Sequence, residues 1–246
     1  TPLSHLDRPF DYLVGDELAT EVVSGARVKV RFAGRLVDGF VLELVQASQH
    51  EGKLAPIAKV VSSEPVLTGE VARLCRAVAD RYAGTIADVL RLAIPTRSAR
   101  AEARPAATPV EPPPDIGSAS WHVYSHGAEF VESLFAGQSP RVVFNPLPRH
   151  EPARAIAEAV SAVVRSGRGA VVCVPAAHDL AHWDEVFSEA LGPGVHVTLT
   201  ARDKPAQRYR KFLQVSRSEV AVVLGTRAAA YAPVKNLGLV AIWDDG

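Results

Sequence analysis

The sequence predicts two units of different class: an α+β unit, a small β-barrel-like sheet finished by helices, followed by an α/β unit on a parallel sheet. Three observations predict this. Residues 27–32 alternate basic and apolar, the period of a half-buried antiparallel strand. Beyond residue 120, apolar runs such as "AVVCV" and "VAVVL" recur between amphipathic stretches, the pattern of buried parallel strands covered by helices. Between them, "TRSARAEARPAATPVEPPPDIGSAS" holds five prolines and no periodicity, so residues 96–120 read as a partly extended linker of about 3 Å per residue. The units are therefore set at 1–95 and 121–246.

In the first unit, Val28, Val30 and Phe32 point one way while Arg27, Lys29 and Arg31 point the other. A turn is expected within Gly34–Gly39, leading to a second strand over Phe40–Val45. Thr68 caps a helix on which Val71, Leu74, Cys75, Val78, Ala79 and Tyr82 share a face. A second helix runs from Thr85 to about Leu92 and stops before Pro95. In the second unit, strands are expected at 141–145, 170–174, 195–199, 220–224 and 238–243. Helices are expected at 152–165, 178–191 and 205–214.

Bulk properties exclude several classes. No apolar run is long enough to span a bilayer and no secretory leader is visible, so a cytosolic chain without membrane contact is expected. The two cysteines, Cys75 and Cys173, sit among apolar neighbours as buried thiols do. Formal net charge is zero, so a nucleic-acid partner would have to be held by local clusters. The absence of Met, and an end just after a strand, lead us to expect a trimmed piece of a longer protein.

The turn after 141–145 should carry chemistry in an α/β nucleotide-binding unit. A phosphate cradle of the form GxxxxGK[ST] converges backbone N–H groups on the phosphates and adds a lysine and a magnesium-binding hydroxyl. Here those positions are Asn145 to Pro152: Asn145 and His150 replace the glycines, Glu151 the lysine and Pro152 the hydroxyl. A carboxylate there repels polyphosphate. Pro152 instead makes a good first helical residue. At the end of the last strand, "WDDG" offers Asp244 and Asp245 as a displaced metal-binding pair or as a solvated strand end.

The stretches "HLDRPFDYLV", "ARVKVRFAGRLVDGFVLE" and "SSEPVLTGEVARLCRAVADRYAGTIADVLRLAIP" resemble the N-terminal DNA-binding domain of the PriA family of replication restart proteins, superfamily-two DNA helicases. "GTRAAAYAPVKNLGLVAIWDD" resembles the segment that the family usually writes GTRSALFAPFKNLGLIVVDEEH. The resemblance covers nearly the whole chain and implies a RecA-like helicase lobe for the second unit. Four motifs depart from it: "NPLPRHEP" at the phosphate loop, "WDDG" for DEEH, "PAAHDLAHW" for PEISLTPQ, and "VYSHGAEF" without its glutamine. The winged-helix insertion is also missing. This pattern is similar to the degenerate family members of actinobacteria and implies a chain that is not an enzyme. It implies no cofactor in this stretch, with ATP not expected and the family's zinc-binding cysteines placed beyond Gly246. An active helicase with a divergent ATP site, and a scaffold that has lost DNA binding too, stay open as rivals.

The resemblance further implies a partner: forked or single-stranded DNA with a 3′ end, together with primosome or replisome proteins, in the nucleoid. Phe10, Asp11 and Tyr12 match the family's 3′-end pocket, where an aromatic face stacks on the terminal base and a carboxylate accepts a hydrogen bond. The pocket's small residue, usually Gly, is Ala33, and its lysine is replaced by Ala55, with Lys53 two residues away. Gly225, Thr226 and Arg227 match a motif that contacts the DNA backbone, or simply form a strand-to-loop turn. Arg27, Lys29 and Arg31 are either phosphate contacts or a solvated strand face. Arg202, Lys204, Arg208, Arg210 and Lys211 leave the same choice on a helix. Phe10 and Tyr12 could equally be core residues of a first strand. His178 and His182 mimic a zinc-protease spacing, but no third ligand is apparent and zinc is not expected there.

Overall fold

The structure, a computed structural model, describes residues 7–244. The chain divides into two compact units, Thr1–Pro95 and Thr96–Gly246.

In the first unit β1 (Arg27–Phe32) is the middle strand of a three-stranded antiparallel sheet between β2 (Arg35–Phe40) and β3 (Ile57–Ser62). The alternation read from the sequence decides its sidedness: Val28 and Val30 are buried with Val22, Ile57 and Val60, and the basic residues take the other face. Helices α1 (Gly69–Arg81) and α2 (Ile86–Ala93) follow. Both start at threonine caps: Thr68 Oγ1 accepts from Val71 N at 3.3 Å and Thr85 Oγ1 from Asp88 N at 3.3 Å. The Thr85 hydroxyl in turn donates to Asp88 at 2.6 Å, and this bond, with Arg91 nearby, holds the Asp88 carboxyl below its usual range.

The hairpin differs from expectation. The turn is Ala33–Gly34, at the very start of the expected range, so the second strand is 35–40, while 41–45 is not a strand. Two residues with positive φ, Ala33 at 48° and Gly34 at 78°, make the tight turn whose twist matches the flanking strands, and Gly39 lies inside β2 opposite Val28. Alanine is costly in the left-handed region. Ala33→Gly is therefore expected to stabilise the first unit by about 1 kcal/mol, read as a higher urea midpoint; an unchanged midpoint would mean the turn relaxes around the methyl group.

The second unit is a parallel sheet of four strands, β4 (Gly169–Cys173), β5 (His196–Leu199), β6 (Val222–Gly225) and β7 (Leu237–Ile242), in the order β5-β6-β4-β7. Alternate residues of β4 enter two cores. Ala170 and Val172 pack with α5 (Pro152–Arg165) and α6 (Ala177–Leu191). Val171 and Cys173 pack with Val215 of α7 (Pro205–Ser216) and with the 227–231 turn. Burial on both faces explains the unbroken apolar runs. Both cysteines are free, buried thiols, and burial pushes Cys75 up to about 11.

Two segments depart from the sequence reading. Residues 141–145 are not a strand: Val142 and Val143 are exposed, and the segment pairs with no strand among the described residues. Pro146 and Pro148 deny the adjoining chain two N–H donors, and Phe144 instead packs on Trp121 and Tyr124. The Pro-rich stretch contains a short helix, α3 (Ala99–Glu102), and is fastened to the second unit. Glu102 takes an ion pair from Arg97 at 2.6 Å and a hydrogen bond from the Tyr209 hydroxyl. Arg217 donates to the Arg104 carbonyl at 2.7 Å, Val110 N to the Glu219 carbonyl at 2.9 Å, and Ser161 to the Pro114 carbonyl at 3.0 Å. The partners are scattered over α5, α7 and the segment after α7, so composition alone could not reveal them. An unpredicted helix, α4 (Gly127–Phe135), packs on α5.

Candidate nucleic-acid interface

Segment 10–13 lies against the C-terminal end of β1. The Phe10 ring meets Phe32 edge-on, with centroids 4.9 Å apart, and stays half-buried. The Arg8 guanidinium stands 5.3 Å from the Phe10 centroid, which brings a cation to the ring. Tyr12 is placed differently. Its ring packs against the valine core and its hydroxyl donates to the Arg31 carbonyl at 3.2 Å. Burial raises its pKa, so this donor proton is retained throughout the neutral range. Between the two rings Asp11 is exposed; its Oδ2 accepts from the Ser48 hydroxyl, and Oδ1 has no partner among the described residues. Loop 41–56 runs alongside: Leu13 N donates to the Ala55 carbonyl and Ile57 N to the Leu13 carbonyl, both at 2.9 Å.

The basic residues of β1 do not act as one face. Arg27 donates to the Pro95 carbonyl at 2.8 Å and lies 5.0 Å from the Phe40 ring centroid, so it ties β1 to the end of α2. Lys29 pairs with Asp38 across the hairpin at 2.9 Å. Arg31 and Lys53 are exposed, and neither makes an ion pair with the described residues. Of the cations singled out here, Arg31, Lys53 and Arg8 are thus left for phosphate.

In the second unit, Gly225, Thr226 and Arg227 follow the carboxyl end of β6. Gly225 is demanded by packing: a Cβ there would come within 2.2 Å of the Leu199 carbonyl oxygen of β5. Thr226 leads into the 227–231 turn by accepting from Ala229 N at 2.7 Å on its carbonyl, and Arg227 is exposed with no ion pair among the described residues. Of the α7 cluster, Lys211 is spent on Asp203 and Thr198, both at 3.0 Å, whereas Arg202, Lys204 and Arg210 are exposed.

The position of the phosphate cradle is filled from within. Glu151 is the N-cap of α5, its Oε1 accepting from Ala153 N at 3.2 Å and its Oε2 facing His182 Nε2 at 3.2 Å. The helix terminus that would receive a phosphate already holds a carboxylate. Ahead of it, Asn145 is exposed, the Tyr124 hydroxyl accepts from Leu147 N at 3.0 Å, and His150 Nδ1 lies 3.4 Å from the same oxygen. Pro152 opens the helix. These residues do not fit ATP. Asp244 is exposed and follows Trp243, which packs on Trp183 at 5.7 Å; Asp245 lies outside the described residues. His178 faces Asp179 rather than His182, and no group of three or more metal-ligating side chains forms among the described residues.

Residues 1–95 match the family model described as the PriA 3′ DNA-binding domain. Over 246 residues the chain is 46% identical to the "Probable replication restart protein PriA" of Mycobacterium leprae, covering 98% of this chain and 38% of that protein. The counterpart of Mycobacterium tuberculosis is 44% identical over 248 residues, covering 98% of this chain and 37% of its own. The chain belongs to the PriA family. The "Replication restart protein PriA" of Bacillus subtilis is 28% identical over 156 residues, 62% of this chain and 17% of that protein. The chain therefore spans 37–38% of the mycobacterial relatives' length. Every first-unit candidate, from Phe10 to Lys53, falls inside the stretch that the PriA domain model matches. Two residues that touch Phe10 and Asp11 were not among the candidates read from the sequence. Arg8, two places before Phe10, carried the signal of a cation beside an aromatic; Ser48, a serine in a polar loop, carried none.

Proposed function

We propose that this chain is a DNA-binding part of a replication restart protein, that it holds the 3′ end of a strand at a fork, and that it has no ATPase or helicase activity. The observation that carries the first part is the half-exposed Phe10 ring beside an Asp11 carboxylate with one oxygen unpaired among the described residues, inside the matched DNA-binding region. The ring offers a stacking surface for the terminal base and Asp11 Oδ1 an acceptor for a terminal hydroxyl. Arg8, Arg31 and Lys53 supply phosphate contacts. The second part rests on Glu151, which caps α5 where a phosphate would bind. On this reading the first unit's sheet is barrel-like, and the second unit is a RecA-like lobe kept as a frame for DNA backbone contacts at Thr226 and Arg227 and for docking of primosome proteins. It works in the nucleoid, with neither ATP nor zinc bound to this stretch.

Fluorescence anisotropy on a forked DNA tests this. A free 3′-hydroxyl at the junction is expected to bind at least about tenfold more tightly than a 3′-phosphate, whose charge Asp11 repels, and Asp11→Ala should abolish the difference. Magnesium–ATP should leave both affinities unchanged. Equal binding to the two ends would refute strand-end recognition, and an ATP-dependent affinity would restore the motor.

A further inference from the structure

Asp11 does not stand alone. On an exposed strand-like segment an aspartate carboxylate turns freely, since its second torsion is broad and shallow. Here one neighbour, itself held in place, restricts it. The Ser48 hydroxyl donates to Asp11 Oδ2, and the same Ser48 oxygen accepts from His50 N at 3.0 Å. A serine hydroxyl has one proton and two lone pairs. With the backbone N–H of His50 on a lone pair, the proton is directed at Asp11. The far end of the loop is pinned too, through the Leu13 bonds to Ala55 and Ile57 and the parallel bridge between Leu13 and Pro56. Ser48 and Ala55 thus bracket the loop against segment 11–13. Lys53, two residues before Ala55, is kept within about 7 Å of it along the chain, by the reach of an extended backbone.

We infer that Ser48 is a positioning residue: by holding Oδ2 it presents Asp11 Oδ1 to a strand end and makes the site selective for a terminus that carries a hydroxyl. This rests on the strand-end reading above. The chemistry is specific. With Oδ2 engaged, the carboxylate has one outward acceptor, which takes a hydrogen bond from a 3′-hydroxyl, finds no donor on a 3′-deoxy end, and repels a 3′-phosphate. An acceptor already oriented gives up less rotational freedom on binding than one that must be ordered. Ser48 therefore acts on the ratio of affinities for the two ends, whereas Arg8, Arg31 and Lys53 act on both ends alike through the phosphates.

The test uses the whole chain with one single-stranded oligonucleotide in two forms, ending in a 3′-hydroxyl or a 3′-deoxy nucleotide. Wild type is expected to prefer the hydroxyl about tenfold, the scale of one hydrogen bond to a charged group. Ser48→Ala should bind the deoxy end within about twofold of wild type while its preference shrinks to about twofold, and Ser48→Thr, which restores the hydroxyl, should recover the preference. Full preference in Ser48→Ala, with Asp11→Ala lacking it, would overturn the role of Ser48 and leave Asp11 in place. An equal loss for both ends in Ser48→Ala would mark Ser48 as a structural tie of the loop and also overturn it. No preference in wild type would overturn the strand-end reading, and this inference with it.

Discussion

Phe10→Ala is expected to weaken binding of a 3′-ended single strand about tenfold, within the roughly 1–3 kcal/mol that one base stacked on an aromatic ring contributes. The ring is suited to this because the fold uses only part of it. Phe32 meets it edge-on at an interplanar angle of 67°, and it stays outside the buried set of Val22, Val28, Val30, Ile57 and Val60. Truncation should therefore cost affinity without unfolding the unit. Tyr12 makes the opposite control: its ring is packed on that buried set, so Tyr12→Ala acts through stability, whereas Tyr12→Phe removes only the bond to the Arg31 carbonyl. Anisotropy at constant salt, with a urea curve for each variant, separates the two effects. An unchanged affinity in a folded Phe10→Ala protein would remove Phe10 from the interface. A loss that disappears at high salt would assign the effect to Arg8, whose guanidinium rests on the same ring.

What could be read in the sequence follows from how locally each feature is determined. Helices α1, α2 and α5 announce themselves through Thr68, Thr85 and Pro152, because a cap or an N1 proline acts within one turn of itself. β1 was legible because one side of it is buried and the other is not. β3 was not: bulges between Arg27 and Val28 and between Lys29 and Val30 break its register, so its burial follows no simple alternation. The second strand was set five residues late because Ala33 occupies a left-handed position where glycine is the usual signal, and Gly34 and Gly39 together left the turn anywhere between them. In the candidate site, Phe10 and Asp11 stood out only as a short run matching a family. The neighbour that orients Asp11 lies 37 residues away in the chain, and a serine among Gln, Ala and His has no spacing that betrays such a contact.

Trp121→Ala is expected to lower the stability of the second unit by about 3–5 kcal/mol, the range for truncating a buried aromatic, and its Tm by roughly 10 °C. Trp121 is 3% exposed, donates through Nε1 to the Ala155 carbonyl at 2.8 Å, and packs on Phe130 and Phe144 with centroids 4.8 Å away in each case. Through Phe144 and Tyr124 it also anchors residues 141–150, which have no strand ladder to hold them. Hydrogen exchange should show this as early loss of protection at Leu147 and His150, whose amides bond to Tyr124 and to the Leu147 carbonyl, while the buried β4 amides respond only to global unfolding. Trp121→Phe keeps most of the packing and gives up the indole N–H, so it should cost about 1 kcal/mol. Unchanged protection at Leu147 in the alanine variant would mean that the segment is held by something other than the aromatic group. Loosening it should not create an ATP site, because the Glu151 carboxylate remains on the first turn of α5 and repels a phosphate whether the preceding loop is ordered or free.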